Sequence, residues 1–300
     1  MPVQSKLIVI YVLLVLIWAT TPLAIVWSVS DIPILWALVL RLFMALPIAF
    51  VVLAILKVKF PTSSLAVHSY VAGSFSLIGS QFFTYVATSY LSSGMIALMF
   101  GLAPIMAGLI GKFWFGQQLH RLQWLGMLIA ISGLSVICLS GDNQHIHPFG
   151  IGLMLLSVFS YAMSIYWVKK VNAPLDPMAQ ATGSILVSCV AALAILPFIW
   201  QSLPDHLPSL KSLGALVYTV IMASLLAMFC YFHLVTKIKA TTLSLTNVMT
   251  PVIAMLFGAW LNHEQLTLGM VIGASVLLFG LFTYFYRDIK ASRRFPEKIR

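Results

Sequence analysis

Long runs of apolar residues, separated by short polar segments, recur from one end of the chain to the other. A helical run of about 20 apolar residues crosses a hydrocarbon core of roughly 30 Å. Because backbone polar groups find no water partner in lipid, each run is predicted to be a helix. The pattern predicts an all-α integral membrane protein with ten transmembrane helices, numbered here as spans 1 to 10: Leu7–Ser28, Ile34–Leu56, Leu65–Tyr90, Gly94–Phe115, Leu122–Leu139, Phe149–Val168, Met178–Trp200, Leu213–Thr236, Thr242–Leu261 and Leu266–Tyr286.

Composition supports the membrane class. Apolar residues make up 61% of the 300 residues and charged residues 8%, whereas about a quarter of a soluble domain is charged. The first run is too long for a cleavable signal peptide, and no small-residue cleavage site follows it. The three cysteines lie within apolar runs and fit no metal motif. Zincin, nucleophile-elbow and phosphate-loop motifs are absent from the sequence. We therefore expect no enzymatic activity, no cofactor and no metal.

The two halves of the chain resemble each other. Residues 104–134 and 251–281 share nine identities in thirty-one positions without a gap, and Pro104 aligns with Pro251. In the earlier spans Trp18 aligns with Tyr161. This predicts two repeats of five spans, residues 1–143 and 144–300. Since five is odd, the second repeat enters the membrane from the opposite side. Inverted repeats usually enclose a site near the bilayer midplane that opens alternately to each side.

The charges predict the orientation. Fifteen of the seventeen Lys and Arg residues fall on one side: before span 1, after spans 2, 6 and 8, on either side of the turn after span 4, or after span 10. We name this side the basic end. The other loops, the acidic end, carry Asp31, Asp142, Asp205 and Glu264, with Lys211 as their only cation. The positive-inside rule then places both termini in the cytoplasm of an inner-membrane protein. The net charge of +10 reflects topology. The expected partners are the lipid bilayer and a small-molecule substrate, with no nucleic acid, and the expected state is a monomer or weak dimer.

Candidate binding residues come from polar helix faces and from aligned aromatic pairs. Gln81 shares a face with Thr84 and Thr88 in span 3, and Asn247 lies one turn before Pro251. Polar faces in lipid require a neighbouring helix or a water-filled cavity. Helix–helix packing is the alternative explanation, for the two prolines as well. The predicted substrate-binding residues are Trp18, Gln81, Tyr85, Phe100, Tyr161 and Asn247, with Pro104, Pro251 and Arg41 as candidates for helix kinks or gating.

Arg41 is the charge that lies deepest in a predicted span, about 10 Å along the helix from the acidic end of span 2. A charge inside the membrane points to function. The alternative is that its long side chain snorkels outward and caps carbonyl groups, and we favour this structural role. Every Asp and Glu lies outside the spans, and His233 lies near the basic end of span 8. We therefore predict facilitated diffusion or solute exchange without a strict need for a proton gradient.

Taken together, the residues resemble the ten-helix EamA-type members of the drug/metabolite transporter superfamily. The resemblance rests on IWATTPLAI in span 1, VLRLF around Arg41, the mid-helix prolines of spans 4 and 9, and Glu264 before span 10. The first repeat departs from the pattern, because Gln117 stands where Glu264 stands in the second. The resemblance implies two five-helix repeats and export of amino acids, other metabolites or drugs. It also implies a role for Arg41 that is common to many substrates.

The sequence thus predicts an alternating-access transporter that exports a small metabolite, most plausibly one resembling an amino acid. One alternative is a proton-coupled multidrug exporter, which requires a titratable group in the cavity. Another is a membrane component that assembles with partners and transports nothing.

Overall fold

The computed structural model describes residues 3–139, 147–203, 206–235, 237 and 246–294, and this part of the chain contains helices and no strand. Two π-helical turns, Phe75–Gly79 and Thr219–Leu226, interrupt spans 3 and 8. The α-helices are α1 Val3–Ser28, α2 Ile34–Ile55, α3 Ser64–Ser74, α4 Ser80–Ala87, α5 Ser93–Phe100, α6 Ala103–Phe115, α7 Arg121–Leu139, α8 Pro148–Val171, α9 Pro177–Leu193, α10 Leu196–Ile199, α11 Leu210–Tyr218, α12 Ala227–Val235, α13 Thr246–Leu261 and α14 Leu268–Arg294.

A helix lies in each predicted span, but the spans are not equally regular. Among the described residues, seven helical stretches are long and apolar enough to cross a membrane. Span 7 is predicted as one helix, yet α9 and the α10 segment are bent by 55°. Pro197 lies in the first turn of α10, and a proline cannot continue the hydrogen bonding of the preceding helix. Span 9 contributes a shorter apolar helix, and span 3 runs from Ser64 to Ala87 through its π turn.

Local sequence explains where several helices begin and end. The hydroxyls of Ser63, Ser92 and Ser209 each accept a hydrogen bond from a backbone N–H in the first turn of the following helix. The carboxylate of Asp176 does the same for the helix that starts at Pro177. Such caps satisfy N–H groups that have no partner inside the helix. These polar residues therefore fix the helix starts at the membrane boundary.

The two aligned prolines act differently. Span 4 breaks after Phe100, and Pro104 lies in the first turn of α6. Pro251 instead lies inside α13. We predicted a kink at both positions, and the structure shows a helix break only in span 4. The break is close to the second proline, since a Cβ built on Gly101 would lie 3.4 Å from the Pro251 ring. Because Gly101 has no side chain, the Pro251 ring of span 9 can pack against the break in span 4.

Spans 5 and 10 form a tight antiparallel pair. A Cβ built on Gly126 would lie 2.7 Å from the carbonyl oxygen of Gly280, and one on Gly280 would lie 2.7 Å from that of Gly126. Gly133 and Gly273 show the same reciprocal contact, at 2.6 and 2.7 Å. Small residues let helix backbones approach closely where lipid gives no hydrophobic drive for association. Glycine is required here because any side chain would meet backbone.

Many of the helix contacts recur when the two halves are exchanged. Span 1 packs against spans 8 and 9, and its counterpart, span 6, packs against spans 3 and 4. Span 2 packs against span 7, and span 4 against span 9. Span 3 contacts span 7 just as span 8 contacts span 2. The interior is therefore built from contacts between the halves as well as within each half.

The turns that follow spans 4 and 9 are also alike. Gly116 and His263, 147 positions apart, both have positive φ, at 65° and 52°. The backbone N–H of Gln117 donates to Gly111 O, and that of Glu264 donates to Gly258 O, which are again equivalent positions. This left-handed turn satisfies the last carbonyls of each helix. The two halves are therefore alike in the backbone conformation of these turns as well as in sequence identities.

Candidate functional site

Arg41 lies in the bundle interior, 6% exposed, at the junction of three spans. Its Nε atom donates to the Ser224 hydroxyl at 3.1 Å, and its Nη1 atom donates to the Gln81 side-chain oxygen at 3.1 Å. Ser224 belongs to span 8 and Gln81 to span 3. We predicted that the Arg41 side chain snorkels outward to cap carbonyls, but both partners are side chains inside the bundle. The guanidinium thus bridges spans 2, 3 and 8.

Both partners of Arg41 are attached to π-helical turns. Ser224 lies within the turn Thr219–Leu226 and donates to the Thr219 carbonyl, five residues earlier, at 2.9 Å. Gln81 is the second residue of α4, directly after the turn Phe75–Gly79. Segments of π-helix are rare and occur frequently at functional sites, because they displace side chains from α-helical register. Periodicity did not indicate them, since both spans have ordinary apolar patterns.

Tyr85 lies one helical turn after Gln81, on the same face of α4. Its side chain is fully buried and packs in the same apolar cluster as Leu38 and Leu42, which lie either side of Arg41 on α2. Within the described residues its hydroxyl has no hydrogen-bond partner. Leaving a buried hydroxyl unpaired is costly. The described contacts therefore leave part of the hydrogen-bonding capacity of Arg41 and Tyr85 unused.

The predicted aromatic residues form a second group. The Trp18 and Tyr231 rings are 5.5 Å apart, and the Phe100 and Tyr161 rings are 6.3 Å apart in an edge-to-face arrangement. Spans 1 and 8 supply one pair, and spans 4 and 6 the other. The aligned positions Trp18 and Tyr161 therefore each lie against an aromatic ring of another span, in two separate pairs.

The side chain of Asn247 lies outside the described residues, so the structure does not place this candidate. Its helix is described, and Asn247 is the second residue of α13. The nearby Thr250 hydroxyl is buried and has no hydrogen-bond partner within the described residues. The polar face predicted for span 9 therefore includes a second orphaned hydroxyl.

Two cavities open near the ends of the bundle. The larger, about 650 Å³, lies at the acidic end and is lined mainly by residues 29–34 and by Gln201, Ser202, Leu203 and His206. The smaller, about 440 Å³, lies at the basic end beside Phe115 and Lys170. Neither is lined by any residue of our predicted site. The interior groups around Arg41 and Tyr161 therefore lie away from both openings.

Glu264 has a structural role that the sequence did not reveal. Its Oε1 atom accepts from the backbone N–H of Ser93 at 3.0 Å, and its Oε2 atom accepts from that of Gly94 at 3.1 Å. The carboxylate thereby caps the first turn of α5 from another repeat. Negative charge is stabilising at a helix N-terminus. The equivalent Gln117 instead accepts from the Tyr166 hydroxyl at 3.0 Å.

Further contacts close the acidic end. The Trp27 indole N–H donates to Asn262 at 2.8 Å, which ties span 1 to the end of span 9. The Asp31 carboxylate accepts from the backbone N–H of Ser209 at 3.1 Å and from its hydroxyl. These hydrogen bonds lower the pKa of Asp31 below its ordinary value. These hydrogen bonds thus connect residues of the two halves at the acidic end.

Comparisons with known proteins agree with this architecture. The family model described as "EamA-like transporter family" matches residues 5–139 and again residues 148–286. A solved crystal structure shares the fold with a TM-score of 0.65 at 18% identity, covering 98% of this chain and 99% of that chain.

Curated relatives bear transporter names. The chain is 26% identical over 207 residues to the "Uncharacterized inner membrane transporter YedA" of Escherichia coli, a match covering 67% of this chain and 66% of that protein, just under two thirds of its length. It is 23% identical over 249 residues to the "Uncharacterized transporter YoaV" of Bacillus subtilis, covering 81% and 84%. A WAT1-related chloroplastic protein of Arabidopsis thaliana is 28% identical over 205 residues, covering 64% and 48%. With both halves matched by the family model, the chain belongs to the EamA-like transporter family.

Proposed function

We propose that the protein is an inner-membrane alternating-access transporter that exports a small, amino-acid-like metabolite. In this proposal ten spans form two inverted repeats, residues 1–143 and 144–300, and both termini are cytoplasmic. The observation that carries the proposal is the reciprocal antiparallel packing of spans 5 and 10 through Gly126, Gly133, Gly273 and Gly280.

The glycine contacts support inversion for a geometric reason. Gly126 aligns with Gly273 and Gly133 with Gly280, so exchanging the repeats turns the contact of Gly126 with Gly280 into that of Gly273 with Gly133. Equivalent spans of parallel repeats would run in the same direction. Spans 5 and 10 run in opposite directions, which is the relation expected around a two-fold axis in the membrane plane.

The interior supports a small solute of low charge. The helix bundle contains two ring pairs, Trp18 with Tyr231 and Phe100 with Tyr161, and a polar group that contains Arg41 and Gln81. Aromatic faces and a few fixed polar groups are typical of small-molecule sites. The sequence places no Asp or Glu within a span, so the interior lacks the carboxylate that commonly carries a coupled proton. Facilitated diffusion or exchange follows from this as the proposed mode of transport.

The experiment is solute flux with the purified full chain in proteoliposomes. Vesicles are loaded with a mixture of the amino acids found in proteins and of common metabolites. Release of each solute is followed by mass spectrometry at equal pH on both sides. We expect selective release, and counterflow of the released solute, compared with protein-free vesicles. Flux that requires an imposed pH gradient would favour the proton-coupled exporter instead. Release no faster than from protein-free vesicles would overturn the transport proposal.

A further inference from the structure

The Arg41 charge lacks an internal counter-ion. All seven acidic residues lie outside the ten predicted spans: Asp31, Asp142, Asp176, Asp205, Glu264, Asp288 and Glu297. The hydrogen bonds that Arg41 makes within the described residues go to neutral acceptors, on Ser224 and Gln81. They use two of the five N–H donors of a guanidinium. Within the described residues, this buried permanent cation is held by neutral dipoles, and its burial carries a considerable desolvation cost.

The repeat itself does not require this cation. Pro33 aligns with Pro177, 144 positions later, so Arg41 corresponds to Ile185 in the second repeat. Ile185 is 1% exposed and packs in the apolar cluster shared by spans 2 and 7. The equivalent helices, spans 2 and 7, therefore carry a charged residue in one copy and an apolar residue in the other at this position. A function of Arg41 in the first repeat explains this difference better than a structural requirement of the fold.

The unpaired Tyr85 hydroxyl is an independent observation, on the helix that also carries the Arg41 partner Gln81. It is fully buried, lies one turn from Gln81 on the same helix face, and has no hydrogen-bond partner within the described residues. A hydroxyl can donate to an anion, just as the unused guanidinium N–H groups can. Within the described residues, the guanidinium therefore has N–H groups beyond its two hydrogen bonds and Tyr85 has an unpaired hydroxyl, and both can donate to a negatively charged acceptor.

We infer that Arg41 and Tyr85, with Gln81 as the displaceable neutral partner of the guanidinium, form the site that binds the carboxylate of the transported solute. This rests on the proposed transport function and defines the substrate class more narrowly. The site matches a single carboxylate of the ligand, because Arg41 is the one cation deep in a predicted span, whereas Lys112 lies in the last turn of α6. A phosphate dianion would bring a second negative charge that Arg41 cannot balance. The π turns at Ser224 and before Gln81 allow these partners to shift register when the solute binds.

The larger cavity and the site share helix α2. Ile34 lines that cavity, and Arg41 is seven residues further along α2, about 10 Å at the α-helical rise. In this proposal a solute from the acidic end would move past roughly two helical turns of α2 to reach the guanidinium, which is 6% exposed in the described structure. The carboxylate would meet its counter-ion inside the bundle, where low polarity strengthens the ion pair.

The decisive variant is Gln81→Glu, which is nearly isosteric and places an internal carboxylate at the oxygen that already accepts from Arg41. The probes are the amino acids that the flux experiment identifies, each compared with its carboxamide, and binding is measured as concentration-dependent thermal stabilisation. For the wild type we expect the acid to bind about 10- to 100-fold more tightly than the carboxamide, the range for charge-assisted hydrogen bonds.

In the Gln81→Glu variant we expect the affinity for the acid to fall by about the same factor, while the carboxamide binds as before. The apparent melting temperature without ligand should rise, since the guanidinium gains a counter-ion. Gln123→Glu is the matched control. Gln123 accepts from the backbone N–H of His120 at the basic end, so the same change there adds a charge away from the interior and should leave both affinities unchanged.

Three outcomes would overturn the inference while transport stands. One is a transported solute without a carboxylate. Another is equal binding of acid and carboxamide by the wild type, a measurement that needs no variant to fold. The last is a Gln81→Glu protein that is stabilised yet binds the acid as the wild type does, which would assign Arg41 a purely structural role. Absence of flux for every solute would instead contradict the proposed function.

Discussion

Gly126→Ala is expected to destabilise the protein by forcing spans 5 and 10 apart. A Cβ at this position would lie 2.5 Å from the Tyr284 backbone nitrogen, 2.7 Å from Gly280 O and 2.9 Å from the Tyr284 Cα. Ordinary contacts of carbon lie at about 3.5 Å, so the two backbones must separate by about 1 Å. All three atoms are backbone, so no side-chain rotation relieves the clash.

The magnitude follows from two opposed effects. Overpacking of this kind costs about 1–3 kcal/mol, whereas replacing a helical glycine by alanine gains up to about 1 kcal/mol. Gly152→Ala isolates the second effect, because nothing lies within 4 Å of a Cβ built there. The difference in stability between the two variants therefore measures the packing cost, and should be about 1–3 kcal/mol.

The assay is thermal unfolding of the detergent-purified variants, followed by size-exclusion chromatography of the heated samples. We expect Gly126→Ala to melt several degrees below Gly152→Ala, and Gly152→Ala to melt at or slightly above the wild type. Equal melting temperatures for the two alanine variants would refute the close approach of spans 5 and 10. The two-fold relation proposed from these glycines would then lose its main support.

Three further predictions concern the acidic end and the topology. Glu264→Gln should lower stability by about 1–2 kcal/mol, because an amide cannot provide the charge-assisted cap of α5; an unchanged melting temperature would contradict the cap. Asp31→Asn should destabilise the protein at neutral pH. The pKa of Asp31 is lowered in the folded state. Its contribution to stability should therefore be complete above the unfolded pKa of about 3.9 and disappear as the pH falls through the folded pKa. A stability difference between the wild type and Asp31→Asn that persists at all pH values would argue against this role. In a chain without its native cysteines, single cysteines at Asp142 and Lys170 should be labelled from opposite faces, and labelling from the same face would refute the topology.

The sequence indicated part of the candidate site. The alignment of the repeats brought Trp18 and Tyr161 forward. In the structure each lies against another aromatic ring, Tyr231 for Trp18 and Phe100 for Tyr161, and their role in binding stays a prediction. Gln81 was indicated by a polar face, and it contacts Arg41.

Other features gave no sequence signal. The π turn that contains Ser224 sits in an apolar pattern that fits an α-helix equally well, so its contact with Arg41 was not foreseen. Glu264 appeared as a loop carboxylate near a span end, and its cap on α5 joins residues 171 positions apart in sequence. Contacts of this range depend on how the helices pack, and no local pattern encodes them.

The sequence alone determined the class, the approximate spans and the duplication, because lipid imposes helices on apolar runs and because repeats leave aligned prolines and glycines. Only the tertiary structure decided which of these residues meet. It placed Arg41 against Gln81 and Ser224 rather than at the membrane surface, and it left the Tyr85 hydroxyl buried and unpaired among the described residues. The physical reason is that hydrophobic burial specifies that a helix lies in the membrane, whereas polar pairing inside it depends on helix rotation, crossing and register.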